Sequence, residues 1–229
     1  MARPFIVVIV GSMVVAGCST GPCPRGQELR EERYDATRLK ARGCVGKNAD
    51  GHYRLYGKWE FYYASGMKQA EGEYRDAFEG GERGDTGLLM DGREGHWVLW
   101  HENGRKAQEG TFRDGKQEGV FTLWHENGQK AQEGTYRDGK AEGVFVAWHE
   151  NGQKAQEGTF RDGKQEGVFT LWHKNGQKQA EGTYRDGKQD GLALLWHENG
   201  RKSEQAVYNF GKLVPLTHKI WDEQGNRIK

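Results

Sequence analysis

Cysteine, proline and methionine are scarce in this chain, at 3, 4 and 4 of 229 residues, and charge of either sign is not in excess. No C-x₂-C pair is present, which removes the usual zinc and dithiol motifs. Lys and Arg number 34 against 33 Asp and Glu, a net charge of +1. A nucleic-acid binder needs a basic surplus to release phosphate counterions, so DNA and RNA are excluded as partners. Hydrophobic residues make up only 34% and the mean hydropathy is -0.96, too little for a thick core, yet aromatics reach 11%, too many for a disordered chain. Apolar surface is therefore concentrated in rings. Also missing are a Ser-His-Asp or Cys-His arrangement, a nucleotide-binding glycine loop and a zinc signature, so no enzyme class and no cofactor is indicated.

The first residues read as an export signal. Arg3 is a short basic region, and Phe5 to Ala16 is apolar apart from Gly11 and Ser12. That run has the length of a signal core and falls short of the roughly 20 residues of a spanning helix. It ends in Val15-Ala16-Gly17-Cys18, which resembles a bacterial lipobox. The resemblance implies cleavage before Cys18 and acyl chains on its thiol, several of which together hold a protein on a membrane. Ser19, in place of Asp, favours the outer membrane of a two-membrane bacterium. Removing the leader takes one cation, Arg3, and no anion, which leaves 33 charges of each sign. Cys23 and Cys44 then lie in an exported chain, where thiols oxidise, and are expected to pair and to staple an N-terminal segment and linker over residues 18–56.

Abundant glycine, 35 residues, belongs to a repeat. Trp100, Trp124, Trp148, Trp172 and Trp196 stand 24 residues apart, and His149 to His173 matches His101 to His125 except for Gln153 in place of Arg105. A decayed early copy starts at Gly57 with Tyr62 in the tryptophan place, and a half copy ends the chain at Trp221 and Gly225. In the unit Gly119 to Gly143, a β-branched and aromatic run through Trp124 leads to Asn127-Gly128, and Gln129 to Arg137 returns to Asp138-Gly139. Asn-Gly and Asp-Gly both suit type I′ turns, so each unit is expected to be a hairpin and the array, residues 57–229, an antiparallel meander. A two-residue turn at Asn127-Gly128 sets Glu126 opposite Gln129, Trp124 opposite Ala131 and Phe121 opposite Gly134, the last a ring over a glycine. Alternation places Phe121, Leu123, His125, Lys130, Gln132 and Tyr136 on one face, and Val120, Thr122, Trp124, Ala131 and Glu133 on the other. Neither face offers a thick core. The expected fold is all-β, an elongated single-layer antiparallel meander of tandem hairpins held by neighbouring stacked aromatics.

The pattern Gly-x-Phe-x-x-Trp-His-Glu-Asn-Gly-Gln-Lys, followed by Glu-Gly-Thr-Tyr-Arg-Asp-Gly-Lys, resembles the MORN-repeat variant, whose chains are often labelled YwqK-type antitoxins. The resemblance covers roughly residues 57 to 227 and implies an extended meander for protein or lipid contact, without catalytic residues.

The histidine column His101, His125, His149, His173 and His197 suggests metal ligation. Equivalent strands two apart are roughly 9.5 Å from one another, however, while ligands of one zinc lie within about 4 Å, so solvated histidines are the expectation. The carboxylates Glu126, Glu133 and Asp138 recur along the array at exposed places, which do not gather into one water-excluded site. Between Tyr62 and Trp100 the step is 38 residues, 14 more than the period, and the surplus falls in a glycine-rich insertion over 77–93. A flexible loop is expected there, with Arg83-Gly84-Asp85 too short a match to count as an adhesion motif. Three roles remain: a cell-envelope scaffold that binds an unknown protein partner, an immunity protein that neutralises a toxin, and a glycan or cell-wall binder that stacks sugars on Trp100, Trp124, Trp148, Trp172 and Trp196. If the lipobox is used, a radioactive fatty acid should label the wild type and spare Cys18→Ser; equal labelling of both would refute it.

Overall fold

The structure is a computed structural model that describes residues 23–24, 26–84 and 87–229. The leader 1–17, Cys18, Ser19 and Asp85 lie outside the described residues. All strands belong to one antiparallel sheet in sequence order, with one late departure. It opens with β1 (Glu28–Arg33), β2 (Leu39–Lys47), β3 (Tyr53–Tyr62) and β4 (Lys68–Phe78). After the insertion come β5 (Arg93–Trp100), β6 (Lys106–Arg113), β7 (Lys116–Trp124), β8 (Lys130–Arg137), β9 (Lys140–Trp148) and β10 (Lys154–Arg161). It closes with β11 (Lys164–Trp172), β12 (Lys178–Arg185), β13 (Lys188–Trp196), β14 (Lys202–Asn209), β15 (Lys212–Leu213) and β16 (Lys219–Ile220), the last also pairing with β14. The expected meander is observed. It begins earlier than the repeat pattern, because β1 and β2 occupy the segment expected to be a linker, and a Cys23–Cys44 disulfide ties the chain before β1 to β2.

The two turn types differ more than their sequences suggest. At Asp138-Gly139 both residues have positive φ, 50° and 77°, and Arg137 faces Lys140, a type I′ turn as expected. At Asn127-Gly128 only Gly128 is left-handed, at 87°. Its N-H donates to His125 O at 2.8 Å, and His125 N-H donates to Gln129 O at 2.9 Å. This is a three-residue loop, a type I turn closed by a glycine bulge. The register therefore departs from the expectation at its mouth: Trp124 faces Lys130, the ladder shifts at Ala131, and only the Phe121–Gly134 pairing is as anticipated. Opposed residues share a face, so Lys130 moves to the face of Trp124, Thr122 and Glu133. A second bulge stands at Gly119, φ 78°, where Gly110 faces Phe121 but Thr111 already faces Glu118.

Phe121 does lie over a glycine, but over the one on the preceding strand. A Cβ on Gly110 would collide with its ring, as one on Gly134 would with Phe145 and one on Gly158 with Phe169. Pressed onto backbone, each ring meets its neighbours edge to face. The ladder runs from Tyr74 through Trp97, Phe112, Phe121, Tyr136, Phe145, Phe160 and Phe169 to Tyr184, with centroids 4.9 to 6.4 Å apart. Edge contacts of this kind contribute about 0.5–1.5 kcal/mol each beyond burial. The neighbour-to-neighbour aromatic ladder expected from the sequence thus takes an edge-to-face form.

The described part of the insertion is not a loose loop. Leu88 and Leu89, at 2% and 1% exposure, are packed with Trp59, Tyr74, Trp97 and Leu99 in a buried cluster on the ladder face. Leu89 O accepts from Tyr74 Oη at 3.2 Å and from Arg93 Nε at 2.9 Å. Arg93 is itself buried, its guanidinium 4.9 Å from the Trp97 ring centre and 5.2 Å from that of Phe112. Burial pushes the Tyr74 hydroxyl up to about 12. A thicker core thus exists at this end, where the sequence pattern suggests none.

Removing residues 125–148 joins Trp124 to His149 in register, so the shortened chain should fold and lose one unit's stability. At about 0.05–0.15 kcal/mol per residue this is roughly 1–4 kcal/mol, read from urea unfolding. Removing only 125–136 deletes one return strand and should unfold the array; equal tolerance of both deletions would contradict it.

Candidate functional site

The sequence marks the Trp-His-Glu-Asn-Gly loops as the candidate site, and these line one edge of the sheet. Asn127 works twice in its loop. Its Oδ1 accepts the Gln129 N-H at 2.9 Å, and its Nδ2 donates to Glu150 O of the next loop at 2.6 Å. His125 reaches the same way, with Nε2 2.8 Å from Trp148 O. A carbonyl can only accept, so the Nε2 proton is held between units. His101, His149, His173 and His197 make the corresponding bonds to Trp124, Trp172, Trp196 and Trp221 at 2.8 to 3.1 Å. In the early copy Tyr63 stands in the histidine place, and its hydroxyl donates to Trp100 O at 2.8 Å. The column expected to be solvated is a row of staples. Among the described residues no group of three or more His, Cys, Asp or Glu is disposed to hold a metal.

The opposite edge is stapled by other means. Glu118 Oε2 accepts the Asp138 N-H at 3.0 Å, and Gly139 N-H donates to Gln117 O at 2.9 Å. Glu142 and Glu166 do the same for Asp162 and Asp186. Sequence reasoning passes over these glutamates because the acceptor and the turn it caps are 20 residues apart.

The tryptophan column does not form a ladder. Among the described residues Trp124, Trp148, Trp172 and Trp196 make no ring-to-ring contact; each lies instead below a lysine of the preceding unit. Lys106 Nζ is 5.7 Å from the Trp124 centroid, Lys130 6.0 Å from Trp148, Lys154 5.8 Å from Trp172 and Lys178 5.8 Å from Trp196. Trp100 is matched by Lys68 at 5.8 Å. Each of these lysines is also paired with a glutamate three residues on, as Lys106 is with Glu109 at 2.7 Å. On this same face, beside the bulge glycines, Val120, Val144 and Val168 stand 59%, 57% and 56% exposed. They form an open aliphatic column at the unit spacing.

Fold and edges together define an open repeat sheet in which the described units are clamped to their neighbours. The family described as MORN repeat variant matches residues 55–76, 93–114, 117–138, 141–162 and 165–186, so the chain carries five tandem units of that repeat. No curated protein matches the chain. A crystal structure of a protein with unknown function from Bacteroides fragilis shares 10% identity over 82% of this chain and 96% of its own; at a TM-score of 0.14 it carries no argument.

The staple reading is tested by substitution. His125→Ala should cost about 1 kcal/mol in urea unfolding, the net worth of one hydrogen bond, and His125→Tyr should retain most of it, as Tyr63 does in the early copy. A tyrosine variant as weak as the alanine variant would show that the imidazole serves otherwise.

Proposed function

We propose that this chain is a non-enzymatic, lipid-anchored scaffold of the cell envelope that binds a partner protein along its repeated face. The observation that carries the proposal is the Val120, Val144 and Val168 column, more than half exposed in successive units. Aliphatic side chains exposed at the same place in successive units offer a partner the same contact several times over. The polar side chains around it are already committed: histidines, asparagines and glutamates clamp units together, which leaves the faces for recognition. An enzyme would need one place where water is excluded and pKa values are displaced, and repeated open turns do not supply it. Glycan stacking on the tryptophans is the weaker alternative, because a lysine occupies the space over one face of each ring.

The anchor on Cys18, with outer-membrane location, belongs to this proposal through the lipobox. A photoreactive residue at position 144 should crosslink a protein in cells, and the yield should fall stepwise as 24-residue units are deleted, since identical contacts act together. Crosslinking to peptidoglycan in place of protein would overturn the reading. Capture of a toxin encoded beside this chain would replace it with an immunity role.

A further inference from the structure

Among the described residues, seven that are not glycine have a left-handed backbone. Five are Asp76, Asp114, Asp138, Asp162 and Asp186, a residue type whose short polar side chain tolerates this conformation. The other two are Phe210, φ 48°, and Leu216, φ 62°. Both are apolar, and both lie beyond residue 186, where the last matched repeat ends. Phe210-Gly211 closes the hairpin in which Asn209 faces Lys212, so Phe210 takes the place that aspartate holds in the preceding turns. Its N-H still meets a carboxylate, Asp190 Oδ1 at 3.3 Å, but its own side chain is a ring, 45% exposed.

Leu216 stands where a strand is broken. One unit earlier Lys188 opens a strand of 9 residues, whereas Lys212 opens one of 2, because Pro215 has no N-H with which to continue the ladder. Val214 to Thr217 form a turn instead, closed by the Thr217 N-H on Val214 O at 3.4 Å. Proline is second and the left-handed residue third, the type II arrangement in which glycine is the usual third residue. Thr217 pins this turn to β14: its Oγ1 donates to Val214 O at 2.7 Å and accepts the Val207 N-H at 3.1 Å. A leucine is thereby held at 101% exposure in a backbone conformation that leucine disfavours, and the fold does not bury it in return.

The surroundings are of one kind. Leu213, between the two strained residues, is 45% exposed. Residues 209–221 contain Lys212, His218 and Lys219 and no Asp or Glu. Two carboxylates bonded to this segment, Asp190 and Glu204, are paired with Arg185 at 3.1 Å and with His218 itself at 2.9 Å. We propose that this outer margin of the sheet is a membrane contact, and that its ligand is the surface of an anionic phospholipid bilayer. Phe210, Leu213 and Leu216 enter the boundary between headgroups and acyl chains, where their burial offsets the strained backbone, while Lys212 and Lys219 meet the lipid phosphates. Apolar tips spaced along an edge, with cations and no free carboxylate beside them, fit a surface that is apolar beneath and anionic above. The contact is independent of the Cys18 anchor, which precedes β1 at the other end of the strand order, and of the valine column on β7, β9 and β11.

The test uses the full mature chain, residues 18–229, with Cys18→Ser so that no acyl chain contributes. It is sedimented with vesicles of phosphatidylglycerol and phosphatidylcholine, and with vesicles of phosphatidylcholine alone. Binding to the anionic vesicles is expected, weaker as salt is raised, with little binding to the neutral ones. Leu216→Gly suits the left-handed position and Phe210→Asp restores the residue of the other turns, so both variants should fold with unchanged or raised Tm. Combined, they should bind anionic vesicles at least about tenfold more weakly. A polarity-sensitive fluorophore on Leu216→Cys should shift to the blue on these vesicles, and one on Val144→Cys should not. Equal binding by the combined variant and its parent, no binding at about 1 mM lipid, or no shift at position 216 overturns the proposal. So does a photoreactive residue at position 216 that crosslinks a protein in cells while vesicles go unbound, since the occupant would then be a protein pocket. If the crosslink at position 144 persists while vesicles fail to bind, the scaffold reading stands without this contact.

Discussion

The approach of an aromatic ring to a glycine backbone is the contact on which the rest of the sheet depends. Phe121 can lie on β6 only because Gly110 has no Cβ, and the same holds for Phe145 on Gly134 and Phe169 on Gly158. A ring pressed onto backbone is buried on one side without a second layer, at 6%, 7% and 5% exposure for these three. Its edges then meet the rings on both neighbouring strands. The bulge at Gly119 stands in the same pairing, two residues before the ring, and a bulge of this kind bends and twists its strand. A single layer thereby gains some of the burial that a globular domain obtains from two packed layers.

Burial alone would leave the turns free to fray, and the two rows of staples oppose that. One edge is closed by histidine and asparagine donating to carbonyls of the next unit, the other by glutamate accepting from the next turn. Each bond is worth about 1 kcal/mol net. The bonds run between consecutive units only, so the molecule behaves as a one-dimensional chain of couplings. Its first units gain more. There the insertion places Leu88 and Leu89 on the ladder, and Arg93 is buried among rings with no carboxylate partner among the described residues.

Much of this is legible in the residues alone, because repetition fixes both the period and the strand order. The meander, the type I′ turn at Asp138-Gly139 and the Phe121–Gly134 pairing follow from local residue chemistry. The other turn does not, because Asn-Gly suits two loop types, and the choice is made by Asn127 bonding both to Gln129 and to a carbonyl one unit away. The role of His125 is hidden for the same reason: its partner is 23 residues off in sequence and is a main-chain atom, which no motif displays. The insertion reads as flexible because glycines dominate its composition, while two leucines decide its position. The strands β1 and β2 lack the repeat signature, and only their pairing onto β3 makes them part of the array.

Repetition also bears on where specific recognition can reside. A contact made by every unit gains strength from number but cannot distinguish one partner segment from a shifted copy of itself, since each register presents the same residues. Discrimination of register requires a position that differs. On the ladder face Ala141 and Ala147 differ in β9, Ala180 in β12 and Ala193 in β13, whereas Val120, Val144 and Val168 repeat on the other face. A uniform face suits avidity, and an interrupted face suits a single register. One sheet thus presents a repeated face and an interrupted face on its opposite sides.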